Sequence, residues 1–299
     1  LAVTDVALFR DAYGPLLNQN LLVPAPVEPP TTRHSGQLSN KTQASQEAAL
    51  EQSLSALEAL LVKEHTRIAA FIVEPLVQGA AGMRFYPAAY LARARELCSR
   101  YQIHLIADEI MVGFGRTGSL FACEQIDSPQ GQGLEPDFLC LSKGITGGYL
   151  PLSCVLTRDN IYQAFYSDDI SRGFLHSHSY TGSALACRAA LATLDIFEED
   201  NVINQNRAKA ARFNAIAAPL AAHPRVSGYR QIGMIWAFEV ASSAPHFARD
   251  FFGRALARGI LLRPIGHTVY FMPPYIISDE EFAWLVAETI HILDQLPAP

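Results

Sequence analysis

"FLCLSKGITGG", Phe138 to Gly148, sets a lysine directly after a short apolar run and before a glycine-rich turn. Four apolar residues bounded by turn residues read as a buried strand of a parallel sheet. A lysine leaving a core ordinarily reaches for solvent. Held at a strand end inside a crevice, it can shed its proton and become a nucleophile. Lys143 occupies that position.

Upstream, "IHLIAD" (Ile103 to Asp108) and "IAAFIV" (Ile68 to Val73) have the same continuous apolar character, and "LSCVLT" (Leu152 to Thr157) supplies a further strand. Helical patterns alternate with them. Leu50, Leu54, Leu57 and Leu61 share one face, and a second helix starts near Pro87 with a stripe of Tyr90, Leu91, Ala94, Leu97, Cys98 and Tyr101. Alternating strands and helices predict an α/β fold, a mainly parallel central sheet flanked by helices. The Pro-, Thr- and Ser-rich stretch from about Pro24 to Ser45 reads as a surface loop, and about Gly182 to Ala222 as a long helical region. Beyond it the pattern changes. "MIWAFEV" and "VYFMPP" are strand-like, and Ser278 with Glu281 forms a capping box opening a helix that turns Phe282, Leu285, Val286 and Leu293 inward. We therefore expect residues 1–196 to belong to a large domain and 197–299 to a smaller α+β domain.

Composition narrows the class. Of 299 residues 49% are hydrophobic and 17% charged, which suits a globular enzyme and not a disordered chain. The net charge of −6, without clustered Lys and Arg, argues against a nucleic-acid partner. No apolar stretch approaches a membrane span. The five cysteines are odd in number and form no CxxC pair, which points to a reducing, cytoplasmic compartment. There is no signal peptide. The chain opens at Leu1 without an initiator Met and reads as a fragment or a processed piece.

The chemistry lies at the strand ends. In open parallel sheets, ligands bind outside the carboxyl ends of the strands. Asp108 ends one strand and Lys143 follows another, so an acid and a lysine can face one crevice. Pyridoxal phosphate needs that pair: a lysine for its Schiff base and a carboxylate to keep its pyridine nitrogen protonated. The bland alternative is a surface ion pair or two unrelated strand ends. Glu74, before Pro75, is expected to close a structural salt bridge. "GFGRTG" (Gly113 to Gly118) fits a dinucleotide fingerprint literally, but no helix pattern follows it before "SPQGQG" breaks the chain. His176 and His178, two apart, would share one face of a strand and could hold a metal; no third ligand is near, and no metal is expected.

Four ordered strings, "FIVEPLVQGAAGM", "LIADEIMVGFGRTG", "LSKGITGG" and "HSHSYTGSALAC", together resemble the class III pyridoxal-phosphate aminotransferases of fold type I, and the resemblance covers nearly the whole chain. It implies that Lys143 is the Schiff-base lysine and proton shuttle, and that Asp108 holds the pyridinium nitrogen. Ser179 would reach the cofactor phosphate of a neighbouring subunit. Arg263 would grip the substrate carboxylate in a bidentate fork. Tyr270 and Arg116 would line the substrate pocket. As single residues, Arg263 could be a surface arginine before a proline turn, Ser179 a turn serine and Tyr270 a packing residue. The resemblance also implies a homodimer with a shared site, with small-molecule substrates, and a loop at the dimer interface for His176 and His178. "LLRPIGHTVYFMPPY" is closest to the members serving biotin biosynthesis, which implies 7-keto-8-aminopelargonate as acceptor and S-adenosylmethionine as donor. Another ω-amino-acid:2-oxo-acid aminotransferase is the alternative, as is an incomplete fragment that needs a partner. Met111 stands where many relatives carry a Gln beside the cofactor's ring oxygen, which favours the biotin group. The family pattern has more chain before Leu1; that part is expected to supply a glycine-serine phosphate loop and an aromatic that stacks on the cofactor ring.

Overall fold

A computed structural model describes residues 2–4, 6–26, 43–127 and 133–297. Most of the expected Pro24–Ser45 loop therefore lies outside the described residues. The first long helix, α1 (Gln43–Glu64), buries Leu57 and Leu61 and leaves Leu50 and Leu54 half-buried against the same core. It leads into β1 (Ala70–Val73) and a two-stranded hairpin, β2 (Val77–Gln78) and β3 (Arg84–Phe85). Helix α2 (Ala88–Arg100) starts directly after Pro87, whose fixed φ suits a helix entry, and buries Tyr90, Leu91, Ala94, Leu97 and Cys98. β4 (His104–Asp108), β5 (Phe138–Leu141) and β6 (Cys154–Thr157) complete a sheet of order β1-β4-β5-β6. β1, β4 and β5 run parallel; β6 is antiparallel to β5, so the sheet is mixed and mainly parallel.

The segment expected to be one long helix is broken. Helix α3 (Asp159–Phe165) precedes α4 (Ala184–Glu199) and α5 (Val202–Ile216), which are separated at Asn201, a residue with φ of 49°. Asn tolerates that left-handed conformation, so the helix stops there and restarts in a new direction. The second sheet is antiparallel: β7 (Val226–Ile232), β8 (Ile235–Val240) and β9 (Thr268–Phe271), in that order, with α6 (Phe247–Ala257) and α7 (Asp279–Asp294). The expected capping box opens α7. Ser278 Oγ accepts from the Glu281 N–H, and the Glu281 carboxylate accepts from the Ser278 N–H.

β8 joins the two layers. Every residue of it is buried. Strand side chains alternate faces; accordingly Ile235 and Ala237 enter the core beneath the parallel sheet, while Trp236, Phe238 and Val240 enter the second core. There Phe213 and Phe282 stack at 4.1 Å and Trp236 packs against both. Arg230 of β7 ties the layers further, donating to the Met83 and Gly82 carbonyls and to Glu239, whose other oxygen accepts from Thr268.

Candidate active site

The register of the parallel strands sets three polar residues at one edge. Val73 pairs with Ala107, so Glu74 and Asp108 leave adjacent strands side by side. Asp108 pairs with Cys140, and two residues past the end of β5 comes Lys143. This is the carboxyl edge, where open parallel sheets bind ligands.

Backbone strain concentrates there. Among the described residues six non-glycine residues have positive φ, and four of them, Leu76, Met83, Phe114 and Lys143, lie in the connections that follow β1, β2, β4 and β5. Each such residue costs about 1–3 kcal/mol and persists only where its surroundings impose it. For Lys143, φ 47°, the imposing contacts are visible. Ser142 Oγ donates to the Leu152 carbonyl, Thr146 Oγ1 donates to the Leu150 carbonyl, and Gly147 closes the turn in the left-handed region. Gly144 lies against the Phe114 ring so closely that a Cβ there would stand 2.9 Å from Phe114 Cβ. The Lys143 side chain is exposed at this edge and makes no ion pair or hydrogen bond with another described residue.

Asp108 is half-buried, and its Oδ1 accepts from the Ile110 N–H at 3.1 Å, which orients the carboxylate. Its neighbour Glu109 points the other way. It is fully buried and accepts from the N–H groups of Ala122 and Cys123 at 2.7 and 2.8 Å. Burial pushes its carboxyl up while those bonds oppose the rise. The "DE" dipeptide thus divides into one acid for the crevice and one that pins the chain behind it.

Glu74 differs from the expectation of a salt bridge: it makes no ion pair among the described residues. Its Oε1 accepts from the Gly79 N–H at 3.2 Å, and its backbone carbonyl accepts from Tyr86 Oη. Burial pushes its carboxyl up to about 7; the Gly79 bond opposes the rise, Asp108 adds to it and Lys143 opposes it. A strand-end glutamate before proline gave no sequence signal for this, because burial depends on how the hairpin that follows, Val77 to Phe85, folds back over it.

Arg116 is committed to the fold. Its Nη1 donates to the Pro273 carbonyl at 2.6 Å, and its guanidinium lies 4.5 Å from the Tyr275 ring centroid. Tyr275 in turn donates to the Phe114 carbonyl at 2.7 Å. Tyr270, on β9 opposite Ala237, is half-buried and packs on the large core. Arg263 is exposed between α6 and β9 and has no polar partner among the described residues, so its guanidinium is free for a ligand. Ser179 sits on an exposed turn and makes no hydrogen bond with Asp108 or Lys143. His176 and His178 are exposed on irregular chain rather than a strand; the His178 ring stacks on Tyr180. Among the described residues no group of three metal-binding side chains occurs. "GFGRTG" is a run of turns followed only by a 3-10 turn, Ala122–Gln125, so no helix N-terminus stands ready for a dinucleotide's phosphates. A surface cavity of about 290 Å³, lined by Phe121, Cys123, Leu139, Leu156 and Arg158 among others, contains none of the edge residues.

The edge residues fit a pyridine aldehyde: an unpaired lysine amine for the aldehyde and an oriented carboxylate on the adjacent strand for the ring nitrogen. Comparison with known proteins agrees. The family profile for aminotransferase class-III matches residues 3–293. The adenosylmethionine-8-amino-7-oxononanoate aminotransferase of Helicobacter pylori is 47% identical over 99% of this chain, and that of Nitratidesulfovibrio vulgaris 39% over 96%. The chain spans 64% and 52% of the length of those two relatives. The crystal structure of the enzyme of that name from Methanocaldococcus jannaschii superposes with a TM-score of 0.84 at 30% identity, covering 99% of this chain and 65% of that one. An (S)-enantioselective omega-transaminase from Thermomicrobium roseum gives 0.75 at 32%, covering 83% and 56%. The mainly parallel sheet with flanking helices is that of the fold type I enzymes, and the chain belongs to the class III aminotransferase family.

Proposed function

We propose that the protein carrying this chain transfers an amino group from S-adenosylmethionine to 7-keto-8-aminopelargonate in biotin biosynthesis, with pyridoxal 5'-phosphate as cofactor. The observation that carries the reading is the placement of Lys143 and Asp108 at the carboxyl ends of adjacent strands, in a chain 47% identical to a relative of that name. When bound, the cofactor supplies an electron sink that makes the proton on the substrate carbon labile. This chain's residues do the rest. Lys143 Nζ binds the cofactor and moves that proton off and on, as general base and then general acid. Asp108 holds a proton at the ring nitrogen. Arg263 takes the acceptor's carboxylate in a bidentate fork, which brings the ketone end to the crevice. Met111 covers Gly79, where a Cβ would stand 2.4 Å from its Sδ. This thioether wall beside the crevice, in place of an amide, favours the biotin group over an ω-amino-acid:2-oxo-acid aminotransferase.

Ser179 belongs to this reading through a partner. Tyr149, Ile170, Leu175, Tyr180 and Leu185, within one stretch of chain, are 76–88% exposed, and large apolar side chains gathered on a surface mark an interaction site. It supports a homodimer in which this segment, Ser179 included, serves the neighbouring site. Residues 1–196 as remainder of the large domain and 197–299 as the small one, and a cytoplasmic location with five free thiols, complete the proposal. No described helix is long and apolar enough to cross a membrane.

The test is a mixture of the purified chain with pyridoxal phosphate, reduced with borohydride and peptide-mapped. A visible band that Lys143→Ala abolishes, with label on Lys143 alone, supports the reading; label scattered over surface lysines sinks it. Amination assays with S-adenosylmethionine against small ω-amino acids then decide the donor.

A further inference from the structure

The glycine-rich run Gly113–Gly118 offers no helix N-terminus to a phosphate, and the structure gives it another use: it presents Phe114 to the turn that carries Lys143. Phe114 is buried, with its ring among Leu141, Ile145 and Ala190. Gly144, the residue after Lys143, lies against it without room for a side chain. A Cβ on Gly144 would stand 2.9 Å from Phe114 Cβ and 3.1 Å from Phe114 Cδ2. The Lys143 turn therefore rests directly on Phe114. Phe114 itself has φ of 55°, a backbone shape that costs free energy and persists only where its surroundings impose it.

One of those constraints comes from the far end of the chain. Tyr275, between β9 and α7, donates its hydroxyl to the Phe114 carbonyl at 2.7 Å. Gly115, with φ of +90°, makes way for that hydroxyl: a Cβ there would stand 3.3 Å from Tyr275 Oη and 3.0 Å from Ile203 Cδ1. Tyr275 is gripped from several elements. The Arg116 guanidinium lies 4.5 Å from its ring centroid while Nη1 donates to the Pro273 carbonyl. Phe197 of α4 meets the ring edge-on at 6.3 Å, and Lys209 Nζ of α5 donates to the carbonyls of Tyr275 and Ile277. We propose that Tyr275 is a positioning residue for Lys143: its hydroxyl fixes the Phe114 backbone, and Phe114 fixes the turn that aims the amine into the crevice. Tyr275 lies just beyond β9, the strand that carries Tyr270 and follows Arg263. The segment assigned to the substrate thus ends in the strut that aims the lysine. A neutral hydroxyl-to-carbonyl bond holds position without supplying charge to the crevice, so its loss costs rate rather than substrate binding.

The inference rests on the reading of Lys143 as the cofactor's lysine, and its test separates the two. Tyr275→Phe removes the hydroxyl and keeps the ring on Arg116 and Phe197. Millisecond hydrogen exchange is followed by mass spectrometry in the whole chain without cofactor, and the expected change is local. The amides of Ile145, Gly147 and Tyr149, which donate across the Lys143 turn, exchange about 3- to 10-fold faster, the effect of one lost hydrogen bond, while those of β8 and α7 keep their rates. Unchanged exchange at the turn overturns the proposal. So does faster exchange throughout β8 and α7, which would make Tyr275 a residue of the fold alone. In the protein carrying this chain, loaded with pyridoxal phosphate, Tyr275→Phe is expected to lower kcat by about 10-fold and to leave KM for the acceptor within about twofold. A raised KM with kcat intact also overturns the proposal. A wild-type protein that never attaches the cofactor at Lys143 defeats the cofactor reading, while exchange at the turn still decides whether Tyr275 holds it.

Discussion

The carboxyl edge of the parallel sheet and the segment from Tyr149 to Ile196 are neighbours in sequence and opposites in construction. At the edge, every group that shapes Lys143 and Asp108 comes from this chain: Ser142 to Leu152, Gly144 on Phe114, Ile110 on Asp108. Left-handed residues are held there against their preference. In the second region the chain supplies side chains but few contacts for them, and Ile170, Leu175 and Tyr180 are about four-fifths exposed. In the proposed homodimer, the difference separates the half of a site that a chain builds alone from the half it lends. Geometry that must be accurate to fractions of an ångström sits on strand ends with many local bonds; reach toward a neighbour is left to exposed loops.

The strongest way to break the comparison is at Lys143. Lys143→Ala is expected to abolish cofactor attachment and to lower transamination by at least ~10²–10⁴-fold, the range for a proton-transfer group. Far-UV circular dichroism should be unchanged, because alanine at φ 47° inherits the same backbone strain. Retained activity would mean that the edge is structural. Next in size is Gly233→Ala. Gly233 has φ of +50°, and a Cβ there would stand 2.4 Å from the Arg116 carbonyl oxygen and 2.5 Å from the Thr117 carbonyl carbon. The overlap is with backbone, so the hairpin β7–β8 must lift off the loop that carries Phe114. A loss of about 2–4 kcal/mol is expected in denaturant unfolding, together with weaker attachment at Lys143. A stability loss below ~1 kcal/mol would show that the loop yields easily and that the edge is loosely built.

Much of the self-contained region was legible in sequence. Continuous apolar runs marked β1, β4 and β5, and the strand-end positions of Asp108 and Lys143 followed from them. The roles of Ser179 and Arg263 came from resemblance alone. What stayed hidden is what tertiary contact decides. "DE" does not announce that Asp108 faces the crevice while Glu109 turns inward to two backbone N–H groups. Nor does the sequence announce that Arg116, expected to line the substrate pocket, is held by Pro273 and Tyr275, more than 150 positions away. The break at Asn201 was missed because a helical pattern on both sides carries no sign of the single left-handed residue between.

The exposed region makes the opposite prediction from the edge. Ile170→Asp and Leu185→Asp replace apolar side chains already in water, so thermal stability of the isolated subunit should change by less than about 0.5 kcal/mol. Self-association, measured by sedimentation, should weaken by about 10- to 100-fold, since a charge is then buried between subunits. A change in subunit stability without a change in association would show that this surface is covered within the chain.

The smallest effect sharpens the comparison most, because it needs both regions at once. Ser179 makes no hydrogen bond with another described residue, so Ser179→Ala should leave subunit stability and self-association untouched. Its hydroxyl counts only where it meets a phosphate on a neighbour, and one lost hydrogen bond to a charged group is worth about 1.5–3 kcal/mol, less where water replaces it. Cofactor affinity, read by titrating the Lys143-bound absorbance, should then fall by about 10-fold in the dimer. Mixed dimers decide the point. When Ser179→Ala is combined in one subunit with Lys143→Ala in the other, a site built across the interface gives two populations: the site that retains Lys143 lies opposite the subunit lacking Lys143, whose Ser179 is intact, and binds normally. If Ser179 served its own subunit, that same site would show the weakened affinity.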